Sequence, residues 1–235
     1  MMAGHPVSMI DFHTHILPGI DDGSRSVEQS MELLQMEASQ GITDVVLTSH
    51  FYASQGNVQS YLERRGKAFE KLAGQLVPEL PKLHLGAEVQ YFEGISVADD
   101  VEKLCIQGTD LLLLEMPFFQ WSDRMIQDVL ALNERKDIQI LLAHVDRYMG
   151  SQPADLWEYL SKRHILMQAN TFCFKGFLNR RKFTKLFEQG IIHVLGTDCH
   201  STNARSPDWS FVPEKVKQIV TQSSLLDERA LLLHK

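Results

Sequence analysis

Short apolar runs recur along the chain, and longer amphipathic stretches separate them. The first run, Val7-Ser8-Met9-Ile10, leads into Asp11-Phe12-His13-Thr14-His15. Later runs cover residues 44–50, 83–89, 111–115, 138–144, 164–170 and 191–200. Most are near-continuous in apolar residues rather than alternating, the pattern of parallel strands buried on both faces. The stretches between them read as helices. Ser26-Val27-Glu28-Gln29 has the form of a capping box. The helix it opens carries Met31, Leu34 and Ala38 at helical spacing and ends at Gly41. Further helices are expected over 61–76 (stopped by Pro78 and Pro81), 97–104, 123–134, 153–163, 178–189 and 213–222.

Strand and helix thus alternate about seven times, which gives either a doubly wound sheet or a closed β/α barrel. What sits at the strand ends favours the barrel. The runs close on His13 and His15, His50, Glu88, Glu115, His144, and Asp198 with His200. In a barrel all these ends ring one mouth, where active sites lie. In an open sheet the first and last strands stand too far apart to share a ligand. The α/β expectation is therefore a TIM-like barrel formed by one domain over 1–235. Residues 1–7 are expected to be a flexible N-terminal extension, and His5 is set aside with them.

Composition narrows the function. The chain has 235 residues, 44% of them hydrophobic, and a net charge of −7. That charge disfavours nucleic-acid binding, which rests on clustered Lys and Arg. No apolar run approaches the roughly 18 residues needed to cross a bilayer, and the N-terminus has no signal-peptide pattern. Cys105, Cys173 and Cys199 are widely spaced and odd in number. This fits a reducing compartment without a disulfide framework, so a cytoplasmic location is expected.

The strand-end residues suit metal chemistry. Side chains at i and i+2 of a strand share a face, so His13 and His15 offer two imidazoles to one ion, with Asp11 behind them. His13, His15, His50, His144 and His200 supply imidazoles; Asp22, Glu88, Glu115 and Asp198 supply carboxylates, with Asp21 competing for the place of Asp22. A His/carboxylate mixture suits Mn, Zn or Fe. Nine donors exceed what one ion takes, so two or three ions are implied, with Glu88 from a central strand as the natural bridge. Each residue alone has a duller explanation: a core histidine, a turn acid, a helix cap. Independent accidents would not all fall at strand ends. His84, His164 and His193 lie at strand starts or middles and are expected to be structural.

These residues resemble a known family. Asp11-x-His13-x-His15, Asp21-Asp22-Gly23, Thr48-Ser49-His50, Gly86-Ala87-Glu88, Ala143-His144-x-x-Arg147-Tyr148 and Thr197-Asp198-x-His200 are similar to motifs of the polymerase-and-histidinol-phosphatase (PHP) superfamily. They most resemble its bacterial metal-dependent protein-tyrosine phosphatases of capsule and exopolysaccharide control. The resemblance implies a distorted (β/α)7 barrel with a trinuclear site, usually manganese. It implies one metal on His13, His15, Glu88 and Asp198, a second on Glu88, Glu115 and His144, and a third on Asp22, His50 and His200. It implies that Arg147 and Arg205 hold the phosphate. The expected partner is a tyrosine-phosphorylated protein, a bacterial tyrosine kinase of polysaccharide synthesis. The segment after His50, Phe51-Tyr52-Ala53-Ser54-Gln55, departs from some relatives in lacking basic residues.

The expected reaction is phosphomonoester hydrolysis by a metal-bound hydroxide. Four carboxylates contribute about −4 and three divalent ions about +6, so a loaded pocket is locally positive. Arg147 can bind two phosphate oxygens as a fork. A phenol leaves with a pKa of about 10 and needs little protonation, a step in which His50 or His200 can assist where not fully committed to metal. Alternatives are a small-metabolite phosphatase, such as one acting on histidinol phosphate, and a non-enzymatic metal-binding module. A third alternative is a thiol enzyme using Cys199 and Arg205, which spell Cys-x5-Arg. That loop carries no glycine for close approach to phosphate, and strand alternation turns Cys199 away from Asp198 and His200.

Overall fold

The computed structural model describes residues 8–221. The expected extension at 1–7 and Gln222, the last residue of the expected final helix, lie outside that span. In chain order the elements are β1 (Ile10–Thr14), α1 (Val27–Ser39), β2 (Asp44–Leu47), β3 (His50–Phe51), α2 (Val58–Ala73), β4 (Lys82–Leu85), β5 (Glu88–Gln90) and β6 (Leu111–Glu115). There follow α3 (Asp123–Asn133), β7 (Gln139–Leu142), α4 (Leu156–Ser161), β8 (Leu166–Asn170), α5 (Phe177–Glu188), β9 (Val194–Gly196) and α6 (Glu214–Thr221).

Every strand pairing is parallel. The orders are β1-β2-β4 and β3-β5-β6-β7-β8-β9. The two sheets are halves of one curled surface, because β2 runs on into β3 across Thr48-Ser49 and β4 into β5 across Gly86-Ala87. The Gly86 N–H donates to the Leu47 carbonyl at 2.9 Å, and the Glu88 N–H to the Thr48 carbonyl at 3.0 Å, across those breaks. Beyond β9, the Asp198 N–H donates to the His13 carbonyl at 2.7 Å and the His15 N–H to the Cys199 carbonyl at 2.9 Å. The architecture is an α/β fold with a curled parallel half-barrel of sheet.

Both faces of the strands are buried, which explains the continuous apolar runs. Leu112, Leu114, Ile140 and Leu142 pack outward against the helices. Leu111, Leu113, Leu141 and Ala143 point inward with Phe12, Val46 and Val194. The expected capping box is half formed: the Gln29 N–H donates to Ser26 Oγ at 3.3 Å, while Gln29 Oε1 accepts from the Arg25 N–H at 2.8 Å. The expected helix at 97–104 is instead two 3-10 turns, Ile95–Val97 and Val101–Leu104. Gly94 (φ 83°) and Asp100 (φ 65°) take left-handed conformations that no continuous helix accommodates. The helix expected from 61 begins earlier, at Val58, because the Asn57 side chain accepts from the Ser60 N–H at 2.9 Å. The last strand is only Val194–Gly196, so His193 precedes it. Among the described residues no helix is long and apolar enough to cross a membrane.

Candidate metal centre

The strand ends bring His13, His15, His50, Glu88, Glu115, His144, Asp198 and His200 to one place, with Asp22 at its rim. Glu88 lies at the middle and is 1% exposed. Its Oε2 stands 3.1 Å from His13 Nε2, 3.1 Å from His15 Nε2 and 3.2 Å from His50 Nδ1. Its Oε1 stands 3.0 Å from His144 Nε2, which is 3.5 Å from Glu115 Oε1. His200 Nε2 and His50 Nε2 face Asp22 Oδ1 at 3.4 and 3.7 Å. Asp198 Oδ1 lies 3.5–3.7 Å from His13, His15 and His200. Three overlapping sets have donor atoms within 4.8 Å of one another: His15, Asp22, His50 and His200; His13, His15 and Glu88; His50, Glu88 and Glu115.

Simple alternation does not place all these side chains. Glu115 follows Leu111 and Leu113 on the inward face of β6. His144 and Asp198 reach the mouth through left-handed backbone, at φ 32° and 55°. Such conformations cost free energy in a non-glycine residue and cluster at functional sites. Gly196 makes room for His13, since a Cβ there would lie 2.5 Å from the His13 Cβ. Gly23 does the same for His15, whose carbonyl oxygen would lie 2.2 Å from an added Cβ.

The hydrogen bonds behind the imidazoles fix their tautomers. His15 Nδ1 pairs with Asp21 Oδ2 at 2.8 Å, His13 Nδ1 with Gln168 Oε1 at 3.1 Å, and His200 Nδ1 with the Asp198 carbonyl at 2.9 Å. All three partners are acceptors, so each Nδ1 carries a proton and each Nε2 is the atom left to meet a cation, whether proton or metal ion. The Nε2 atoms of His13 and His15 then face each other at 3.1 Å. At that distance either a proton on one of them bridges the pair, as the raised His15 supplies in the metal-free site, or a metal cation lies against both. His200 Nε2 is also buried without a hydrogen-bond partner. This donor set fits divalent metal ions, and the acceptors behind the rings are the partners that orient metal-binding histidines.

The electrostatics agree. Burial opposes charge on Glu88, but His13, His144 and His15 outweigh it and hold its carboxyl well below the usual range. Burial lowers His15, but Asp21 and Glu88 overcome this and push it up to about 10. His144 is pushed up to about 9 against burial by Glu115 and Glu88. The floor of the site therefore attracts positive charge. Burial and the charge of His15 press His200 down to about 4, so it stays neutral with a lone pair to offer.

Several expectations are placed differently. Asp21 is not in any of the three donor sets: its carboxylate also accepts from the His50 and Gly23 N–H groups at 2.9 and 3.0 Å. Asp22 takes the rim position. Asp11 does not stand behind the imidazoles, because a register shift between Asp11 and Thr14 turns it outward. There it accepts from Thr197 Oγ1 at 2.6 Å and neighbours Glu37 of α1, whose carboxyl is pushed well up by burial and by Asp11. Arg147 and Arg205 reach the site, and both are paired with Asp198, Arg205 Nη2 donating to Oδ1 at 2.8 Å and Arg147 Nη2 to Oδ2. Cys199 is fully buried, and burial together with Glu37 and Asp11 raises its thiol well above the ordinary range. A nucleophilic thiol needs the opposite environment. Of the histidines expected to be structural, His84 Nε2 pairs with Asp44 at 2.8 Å and His193 Nδ1 accepts from the Met167 N–H at 3.1 Å. His164 lies in left-handed backbone ahead of β8. None joins the cluster. The sequence reading missed Gln168 and Asn170, which hold His13, His144 and Asp198 from below. A polar residue inside an otherwise apolar strand, at 168, was the available signal.

The family model described as "Capsular polysaccharide synthesis, CpsB/CapC" matches residues 9–226. The tyrosine-protein phosphatase YwqE of Bacillus subtilis is 26% identical over 211 residues, 84% of this chain and 80% of its own length. The tyrosine-protein phosphatase CpsB of Streptococcus pneumoniae is 27% identical over 218 residues, 85% of this chain and 86% of its own. Among solved structures, one of the YwqE and CpsB proteins, described as unique metal-dependent tyrosine phosphatases, shares the fold. Its TM-score is 0.74 at 23% identity, over 96% of this chain and 94% of that one.

Proposed function

This chain belongs to the CpsB/CapC family of capsular polysaccharide synthesis, and we propose from that premise that it is a metal-dependent protein-tyrosine phosphatase. The observation that carries the reading is the pair of imidazole nitrogens of His13 and His15, 3.1 Å apart, each 3.1 Å from Glu88. Relatives named as tyrosine-protein phosphatases support the activity.

In this reading one cation is held by His13, His15, Glu88 and Asp198, a second by Glu88, Glu115 and His144, and a third by Asp22, His50 and His200. Manganese is the proposed metal. Bound divalent ions supply an acidified water as nucleophile and a sink for charge on phosphate oxygens. The chain's own residues do the rest. Arg147 and Arg205, beside Asp198 at the rim, take the phosphate oxygens and orient the ester. Asp21 and Gln168 fix the rings of His15 and His13. The departing phenolate needs little help from a proton donor, so His50 and His200 can stay committed to the third cation.

The same reading extends to the fold and setting. The bonds from Asp198 to His13 and from His15 to Cys199 support a closed, distorted (β/α)7 barrel. We take the chain as one phosphatase domain acting in the cytoplasm on a tyrosine-phosphorylated protein, a bacterial tyrosine kinase. The test is hydrolysis of a phosphotyrosine peptide before and after chelation. Turnover should vanish on metal removal and return with Mn2+; equal rates in stripped and loaded protein would overturn the proposal.

A further inference from the structure

A cavity of about 270 Å3 opens above the cluster, with Glu88, Glu115 and His144 at its floor and Arg147 and Arg205 on its wall. His50, Gln90 and Asp198 also line it, together with two aromatic rings, those of Tyr52 and Phe118. Neither is explained by the metal site or by the core. Phe118, in the loop after β6, is 58% exposed, whereas Glu88 below it is 1% exposed. Yet Phe118 is not loose. Its ring stacks on His144 at 5.8 Å between centroids and 15° between planes, and it touches Tyr148 at 5.4 Å. Tyr52, just beyond β3, stacks on His50 at 4.9 Å and 23°. His50 and His144 approach opposite oxygens of Glu88. The two rings therefore stand over opposite sides of the central carboxylate, each with one face packed on an imidazole.

We propose that Tyr52 and Phe118 form an aryl-binding slot, which takes the phenyl ring of a phosphotyrosine while its phosphate reaches the floor below. This rests on the phosphatase reading and adds to it the source of selectivity for aryl esters. The floor is buried and the rim is not, so phosphorus must descend below the surface. Tyrosine carries its phosphate a full ring beyond the first side-chain carbon; serine carries it directly on that carbon. A main chain resting on the rim thus delivers the first to the cluster and holds the second short of it. Aromatic pairs in offset or edge-on contact gain more than the burial of their area alone, and that gain is absent for an alkyl ester.

The test uses the Mn2+-loaded protein and two non-hydrolysable probes, phenylphosphonate and methylphosphonate, with affinities measured by calorimetry. Turnover of phenyl phosphate and of an alkyl phosphate is measured alongside. The wild type should bind the phenyl probe more tightly. In Phe118→Ala and in Tyr52→Ala that preference should shrink by about two- to tenfold each, while Phe118→Tyr and Tyr52→Phe keep it. A preference that survives both alanine variants, or equal losses for the two probes, would overturn the slot. If the wild type binds the probes but hydrolyses neither ester, the phosphatase reading falls, and the binding data still decide the slot.

Discussion

Gln168 is the residue whose replacement should report most about how the site is held. It is the middle residue of β8 and is fully buried. Its Oε1 accepts from the His144 N–H at 2.6 Å and from His13 Nδ1 at 3.1 Å. Its Nε2 donates to Asn170 Oδ1 at 3.0 Å, and Asn170 Nδ2 donates to Asp198 Oδ2 at 3.1 Å. One amide thus fixes His13 and His144 directly and Asp198 through a relay. Gln168→Leu keeps the bulk and leaves at least two buried donors unpaired. At roughly 1–3 kcal/mol per orphaned group, the metal-free protein should lose about 2–6 kcal/mol of stability. Freed from its acceptor, the His13 ring no longer presents a fixed lone pair. Loss of such an orienting partner weakens metal binding about 10- to 100-fold, or about 1.4–2.8 kcal/mol. Gln168→Glu restores an acceptor to both donors and should fall closer to wild type in affinity for Mn2+. Urea unfolding of the stripped protein and calorimetric Mn2+ titration measure the two effects separately. A Leu variant within about twofold of wild-type affinity, and destabilised by less than about 1 kcal/mol, would refute the reasoning.

Other substitutions probe the surroundings. Gly196→Ala puts a Cβ 2.5 Å from His13 Cβ and 2.9 Å from His13 N, so it should cost about 1–3 kcal/mol and impair Mn2+ binding. Gly66→Ala, in α2 with open space around it, should instead stabilise the chain by about 0.5–1 kcal/mol in the same unfolding assay. Burial presses His193 down to about 4, while an unfolded histidine titrates near 6.5. Between those values the unfolded chain binds the extra proton, so stability should fall as pH drops through this window, by on the order of 2–3 kcal/mol. His193→Gln should flatten that slope in denaturation midpoints measured from pH 7 to 4. Cys199→Ala should keep most of the phosphatase turnover; a variant that still binds Mn2+ but is inactive would revive the phosphocysteine route.

Much of the site could be read from where polar residues interrupt apolar runs. Glu115 closes β6 as expected, whereas His50 and Glu88 open β3 and β5 just past the breaks at Thr48-Ser49 and Gly86-Ala87. His144 and Asp198 were identified for the same reason, although left-handed backbone, not alternation, turns them to the mouth. Alternation failed outright at Asp11, where the register shift in β1 separates it from His13. The choice between Asp21 and Asp22 was beyond the sequence, because adjacent turn residues carry the same chemistry and only their partners distinguish them. The pairing of Arg147 and Arg205 with Asp198 was likewise invisible, since these groups lie 51 and 7 positions from it along the chain. Two 3-10 turns replaced a helix because local periodicity does not reveal Asp100 in left-handed geometry.

Metal occupancy tests the central claim most directly. Crystals of the protein grown with Mn2+ and measured at the manganese edge should show two or three anomalous peaks. These should lie within bonding distance of His13, His15, Glu88, His144 and Asp198, with one beside Asp22, His50 and His200. Elemental analysis of the same protein should count the same number of ions. A map with no peak among these residues, from protein that still hydrolyses phosphotyrosine, would contradict the account.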